Sequence, residues 1–91
     1  MPIRFARSAR IFLRSQASAV ASRLIGECVL LASNPYLDPD DPRKSLFLAP
    51  PAVMRIYRVD EHWIIYYEEH GNLIIANIGS VLEKPHLWRQ G

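Results

Sequence analysis

The sequence has a single cysteine, Cys28. No disulfide can form within the chain, which excludes a disulfide-stapled secreted scaffold. Long apolar runs are missing too. The longest strictly apolar stretches, Cys28 to Ala32 and Trp63 to Tyr67, are five residues each, against the roughly 20 that a membrane-spanning helix needs; no membrane partner is expected. Glycine is scarce, four among 91 residues, and forms neither a phosphate-cradling loop nor a Gly-x-Ser-x-Gly nucleophile elbow. His62, His70, His86 and Cys28 stand at no metal-ligand spacing, so neither a metal nor a cofactor is expected. Acids are absent from the first 23 residues.

What is present fits one small domain, residues 1–91. A chain of this size buries roughly 60–65% of the surface it exposes when unfolded, enough for a single core. Hydrophobic residues make up 49% and charged residues 22%, an ordinary globular balance that argues against disorder. The net charge of +2 conceals blocks. Arg4, Arg7, Arg10, Arg14 and Arg23 give the first segment +5. Glu27, Asp38, Asp40 and Asp41 follow with −4, then Arg43, Lys44, Arg55 and Arg58 with +4, then Asp60, Glu61, Glu68 and Glu69 with −4. Nine of the eleven cations are arginine, whose planar fork suits bidentate contact with phosphate or carboxylate. The basic blocks therefore face either a nucleic acid or an acidic protein, or are simply solvated helix faces. The acid-free, Arg- and Ser-rich start also has the composition of a mitochondrial presequence. The helical pattern, however, continues to Ser33, so this start is read as part of the domain.

Periodicity gives the elements. Pro2 to Phe5 reads as a short strand. Ser8 is placed to cap a helix with Ala9, Phe12, Leu13 and Ala17 on one face. Serines at 15 and 18 allow a break, and a second helix runs to Ser33. Its main stripe is Ala17, Val20, Leu24, Cys28 and Leu31, with Ala21, Ile25, Val29 and Ala32 beside it. Asn34-Pro35 ends it. Residues 34–52, with five prolines, read as a connector holding a short apolar patch, Leu46-Phe47-Leu48. Three strands follow: Val53 to Val59, Trp63 to Glu69 and Leu73 to Ile78, the last two joined by a turn at His70-Gly71-Asn72. The fold class is therefore α+β, in the order β-α-α-β-β-β. An antiparallel helical hairpin packs on one face of a small, mainly antiparallel sheet, with the first strand expected beside the last.

This arrangement resembles the RelE/ParE superfamily of bacterial toxins from type II toxin–antitoxin systems. The resemblance covers nearly the whole chain. It is carried by Phe5-x-x-x-Ala9 leading into a hairpin that ends Leu31-Ala32-x-Asn34-Pro35. Arg55-Ile56-Tyr57-Arg58-Val59, followed after a turn by Ile64-Ile65-Tyr66-Tyr67, resembles the family's strand core, and Leu73 to Gly79 its last central strand. The resemblance implies a cytoplasmic bacterial growth inhibitor, associated with plasmid stabilisation. A cognate antitoxin would neutralise it, also in higher-order complexes. RelE-like members are metal-free endoribonucleases that cleave mRNA on the ribosome, whereas ParE-like members inhibit DNA gyrase.

Metal-free RNA cleavage needs a base for the 2′-hydroxyl, an acid for the leaving oxygen and cations for the developing charge. Arg55 and Arg58 are the candidate cations and His86 the candidate acid or base. Tyr57, Lys84 and Trp88 are candidate contacts to RNA or another target. In a regular strand Arg55, Tyr57 and Val59 share one face and Met54, Ile56 and Arg58 the other. Met54 and Ile56 are expected to face the helices, leaving Arg55 and Tyr57 on the open face. Arg7, Arg10, Arg14 and Arg55 are the expected antitoxin contacts. Adjacent Glu68 and Glu69 point to opposite faces and read as solubilising the hairpin end. Two departures from the family pattern weaken the nuclease reading. Ser80-Val81-Leu82-Glu83 stands where a basic residue usually follows the last central strand, and Trp63 stands where an arginine often opens the second hairpin strand. The alternatives are a catalytically inactive toxin-fold binding module and an unrelated small α+β interaction domain.

Overall fold

The structure, a computed structural model, describes residues 1–36, 40, 43–49 and 52–81, of which 46–49, 52 and 53 by their backbone alone. The elements are β1 (Ile3–Phe5), α1 (Arg7–Arg14), α2 (Ser18–Ser33), β2 (Lys44–Ala49), β3 (Ala52–Val59), β4 (His62–Glu69) and β5 (Asn72–Ser80). The five strands form one sheet in the order β1-β5-β4-β3-β2. β1 runs parallel to β5, Ile3 opposite Leu73, and the other neighbours are antiparallel. The α+β class and the pairing of first strand with last agree with the sequence reading. The segment read as a connector, however, contains β2, so the sheet has one strand more than expected.

Local chemistry explains the element ends. α1 starts at Arg7 with Ala6 as its N-cap and no capping side chain. Ser8 is thus inside the helix rather than its cap, and its hydroxyl donates to the Ala76 carbonyl at 2.8 Å. That carbonyl is available because β4 and β5 slip register, Ile65 opposite Asn77 but Tyr66 opposite Ile75, leaving Ala76 as the extra residue of a bulge. The serine therefore fastens α1 to the sheet. Ser15 closes α1, its hydroxyl donating to the Phe12 carbonyl at 2.6 Å. α2 ends at Asn34, in extended backbone ahead of Pro35. The β4–β5 turn has positive φ at both His70 and Gly71, the geometry of a two-residue turn whose twist matches the strands.

The helices cover one face of the sheet. Ala9, Leu24, Cys28 and Leu31 pack there with Tyr57, Val59, Ile64, Tyr66, Leu73, Ile75 and Ile78. Tyr66 is fully buried, and its hydroxyl donates to the Pro35 carbonyl at 2.8 Å, pinning the exit of α2 to β4. Tyr66→Phe strands that carbonyl and is expected to cost about 1–2 kcal/mol, read as a lower urea midpoint at unchanged slope. An unaltered midpoint would show that water replaces the hydroxyl freely. On the opposite face Ile56, Trp63 and Ile65 form a second, smaller buried cluster with Met54, Ala76 and Val81.

Candidate functional site

The faces of β3 are the reverse of the sequence expectation. Tyr57 and Val59 lie in the core beneath the helices, and Met54 and Ile56 belong to the cluster on the other face. Both residue pairs are apolar enough to be buried, so alternation fixed the pairing of residues but not the direction. Tyr57 is 3% exposed, and its hydroxyl donates to Glu27 Oε1 at 2.9 Å across the α2–β3 interface. The ring, with the Arg43 guanidinium 5.1 Å from its centre, thus lies in the core and not on the open face expected of it.

Arg55 follows Tyr57 onto the helix-side face and does not lie open. Its Nη1 donates to Glu68 Oε1 at 2.8 Å, both side chains being about a quarter exposed, and its guanidinium stands 5.7 Å from the centre of the Tyr36 ring. Its Nε is buried without a partner. Glu68 is therefore the counter-ion of Arg55 rather than a solubilising residue. The pairing had a signal: Arg55 faces Tyr66 across the ladder, and Glu68 is its diagonal neighbour on the same face. Arg58 points to the other face, opposite Trp63, and is exposed. Arg55 and Arg58 thus leave the sheet on opposite sides. Lys84, His86 and Trp88 lie outside the described residues.

Trp63 lies flat on the second face. Its indole covers Gly79 and its Nε1 donates to the Ser80 carbonyl at 2.9 Å. Arg58 therefore leaves the sheet on the face that carries the buried cluster of Ile56, Trp63 and Ile65. Among the described residues no group of three His, Cys, Asp or Glu side chains is placed to hold a metal ion. No described helix is long and apolar enough to cross a membrane.

Two further features lie on the helices. Arg7, Arg10 and Arg14 are exposed on α1 and line a shallow groove with Ile11. A cleft between α2 and the β3–β4 turn is lined by Val20, Arg23, Leu24, Val59, Asp60, Glu61 and His62, with Arg23 paired to Asp60 across it. The sequence reading set Ile25 and Val29 in an apolar row beside the buried stripe of α2; in the structure both stand exposed, as does Leu30.

No protein-family model and no curated protein matches this sequence. Its fold is that of a chain in the crystal structure of the intact E. coli RelBE toxin-antitoxin complex. The two share a TM-score of 0.56 over 87% of this chain and 94% of that one, at 14% sequence identity.

Proposed function

We propose that this protein is the toxin of a bacterial type II toxin–antitoxin pair, a RelE/ParE-like growth inhibitor acting in the cytoplasm and held inactive by its antitoxin. The observation that carries this reading is the likeness in fold to a chain of a toxin–antitoxin complex over 87% of the sequence. The charge pattern supports it. Arg7, Arg10 and Arg14 form an exposed cationic edge in a segment without acids, suited to an acidic antitoxin segment that folds on binding. Arg55 joins them by exchanging Glu68 for an antitoxin carboxylate. Plasmid stabilisation and higher-order toxin–antitoxin complexes belong to the same reading.

Of the two routes to growth inhibition, the described residues support binding over cutting. Cleavage needs several polar groups converging on one phosphate. Here Arg55 and Arg58 stand on opposite faces, and Tyr57 is buried. Trp63, packed on Gly79, occupies the face where Arg58 emerges. Gyrase inhibition, the ParE-like route, is accordingly the proposed mechanism, with Arg58 as a target contact. Lys84, His86 and Trp88 remain the groups through which a nuclease would work.

The test adds purified protein to a bacterial translation reaction and maps mRNA ends by primer extension, beside a DNA gyrase supercoiling assay. Intact mRNA with supercoiling blocked is expected, and Arg58→Ala is expected to weaken the block by about tenfold or more. Cuts within ribosome-bound codons that vanish in Arg58→Ala would overturn the mechanism in favour of an endoribonuclease. Silence in both assays, with no growth arrest on expression, would leave an inactive toxin-fold binding module.

A further inference from the structure

The sheet ends differently at its two edges. β1 is three residues long and follows Pro2, too short to invite another strand. β2 is six residues long and, among the described residues, has a neighbouring strand on one side only. Its other side therefore carries unpaired backbone donors and acceptors. Which residues carry them follows from one bond. The Arg58 amide donates to the Arg43 carbonyl at 2.7 Å, so residue 43 and, by alternation, 45, 47 and 49 bond toward β3. Lys44, Leu46 and Leu48 then turn their amides and carbonyls outward. Edge strands are commonly guarded by charge, and here the guard is drawn inward. Lys44 Nζ donates to the Asn34 carbonyl at 2.7 Å, and the Arg43 guanidinium stands over the Tyr57 ring. From Ser45 to Ala49 the sequence carries no charge.

We infer that β2 pairs with β2 of a second copy of this chain, antiparallel about a two-fold axis at Leu46, joining the two sheets into one. Backbone direction and proline spacing select this partner and register independently. In an antiparallel pair, two residues with outward amides exchange both bonds. Leu46 is the middle of the three and meets its own equivalent, with Lys44 against Leu48 on either side. The proline-free stretch runs from 43 to 49, between Pro42 and Pro50, and its midpoint is again Leu46. A proline has no amide to lend to a ladder, so this register uses the whole stretch and any other shortens it. Charge points the same way. Antiparallel pairing sets the Arg43-Lys44 ends of the two strands at opposite ends of the ladder, roughly 14–20 Å apart, whereas parallel pairing would set them side by side. Ser8 fastens α1 over β5, far across the sheet from β2, so the α1 arginines stay accessible in the dimer. Such pairing is independent of whether the protein is a toxin.

The test follows the full chain by sedimentation equilibrium from about 1 μM to about 1 mM, where a monomer–dimer equilibrium is expected. Leu46→Pro removes an outward amide that β3 does not use, a substitution that edge strands tolerate. The two-fold axis removes it twice, so dimerisation should weaken by on the order of a hundredfold, with the circular dichroism spectrum unaltered. Leu46→Lys and Leu46→Glu each place like charges across the axis. Each should be monomeric alone, and their mixture should dimerise, a rescue that a folding defect cannot produce. For the register, Leu46→Cys should form an intermolecular disulfide on mild oxidation, its α-carbons lying about 5.5 Å apart, and Ser45→Cys should cross-link far less. Cys28 is fully buried and takes no part. A monomer at every concentration, assemblies that grow past the dimer, a dimer indifferent both to Leu46→Pro and to the lysine and glutamate variants, or cross-linking at residue 45 in place of 46 would each overturn the inference.

Discussion

Gly79→Ala is expected to destabilise the domain by about 2–3 kcal/mol, toward the upper end for overpacking, and to lower its melting temperature by roughly 10–20 °C. A Cβ at this position would stand within 2.7 Å of Trp63 Cε2 and Cη2, and closer still to Cζ2. The indole cannot step aside easily. It is 3% exposed, its Nε1 is held by the Ser80 carbonyl, and Ile56 and Ile65 pack with it. Trp63→Ala alone should cost roughly 3–5 kcal/mol by opening a cavity. In the double variant the alanine methyl occupies space the indole has left, so the two losses should sum to more than the double variant shows. Strict additivity in that cycle, or an unchanged melting temperature for Gly79→Ala, would mean that the ring is not the obstacle.

The second large effect concerns Cys28. It is fully buried in the α2 stripe, and burial, with the neighbouring Glu27 carboxylate adding to it, pushes its thiol from 9.0 up to about 12. Labelling by a thiol reagent at pH 8 should therefore be slower in the folded protein than in urea by on the order of a thousandfold, from the lost thiolate alone. Stability follows the same shift. Below about pH 9 the thiol is neutral in both states and contributes no slope. Between about pH 9 and about pH 12 the unfolded chain releases its proton and the folded chain does not, so stability falls as pH rises. The slope approaches about 1.4 kcal/mol per pH unit. Urea midpoints of wild type and Cys28→Ala, measured from pH 8 to 10.5, should differ progressively, the wild type falling faster. Parallel curves, or rapid labelling of the folded protein, would refute the burial argument.

The sequence was legible where one period had one interpretation. The break near Ser15, the end of α2 at Asn34-Pro35 and the turn at His70-Gly71 each rest on local backbone chemistry, and the structure has all three. Legibility failed where the deciding partner is distant. Leu46-Phe47-Leu48 is too short and too uniformly apolar to show a period, and prolines flank it. It is a strand because β3 offers it an edge, a position that tolerates nearby proline. The orientation of β3 was inverted because Met54 and Ile56 are as burial-prone as Tyr57 and Val59. The hydroxyl contact to Glu27 and the Trp63 cluster distinguish the two faces, and both come from other elements. The same inversion moved the candidate site, since it took Arg55 away from Arg58.

The parallel pairing of β1 with β5 has a consequence for synthesis on the ribosome. Ile3, Arg4 and Phe5 have as partners Leu73, Ile74 and Ile75, and the Pro2 carbonyl accepts from the Leu73 amide at 2.8 Å. β1 is thus made long before the strand that gives it its place. Until β5 emerges, β1 has no ladder and α1 lacks both the Ala76 carbonyl that fastens it and the core residues it covers. Closure over so long a separation is entropically slow. The arginine-rich segment of β1 and α1 therefore stays unanchored while the residues between it and β5 are being made, and the domain closes only once β5 has left the ribosome.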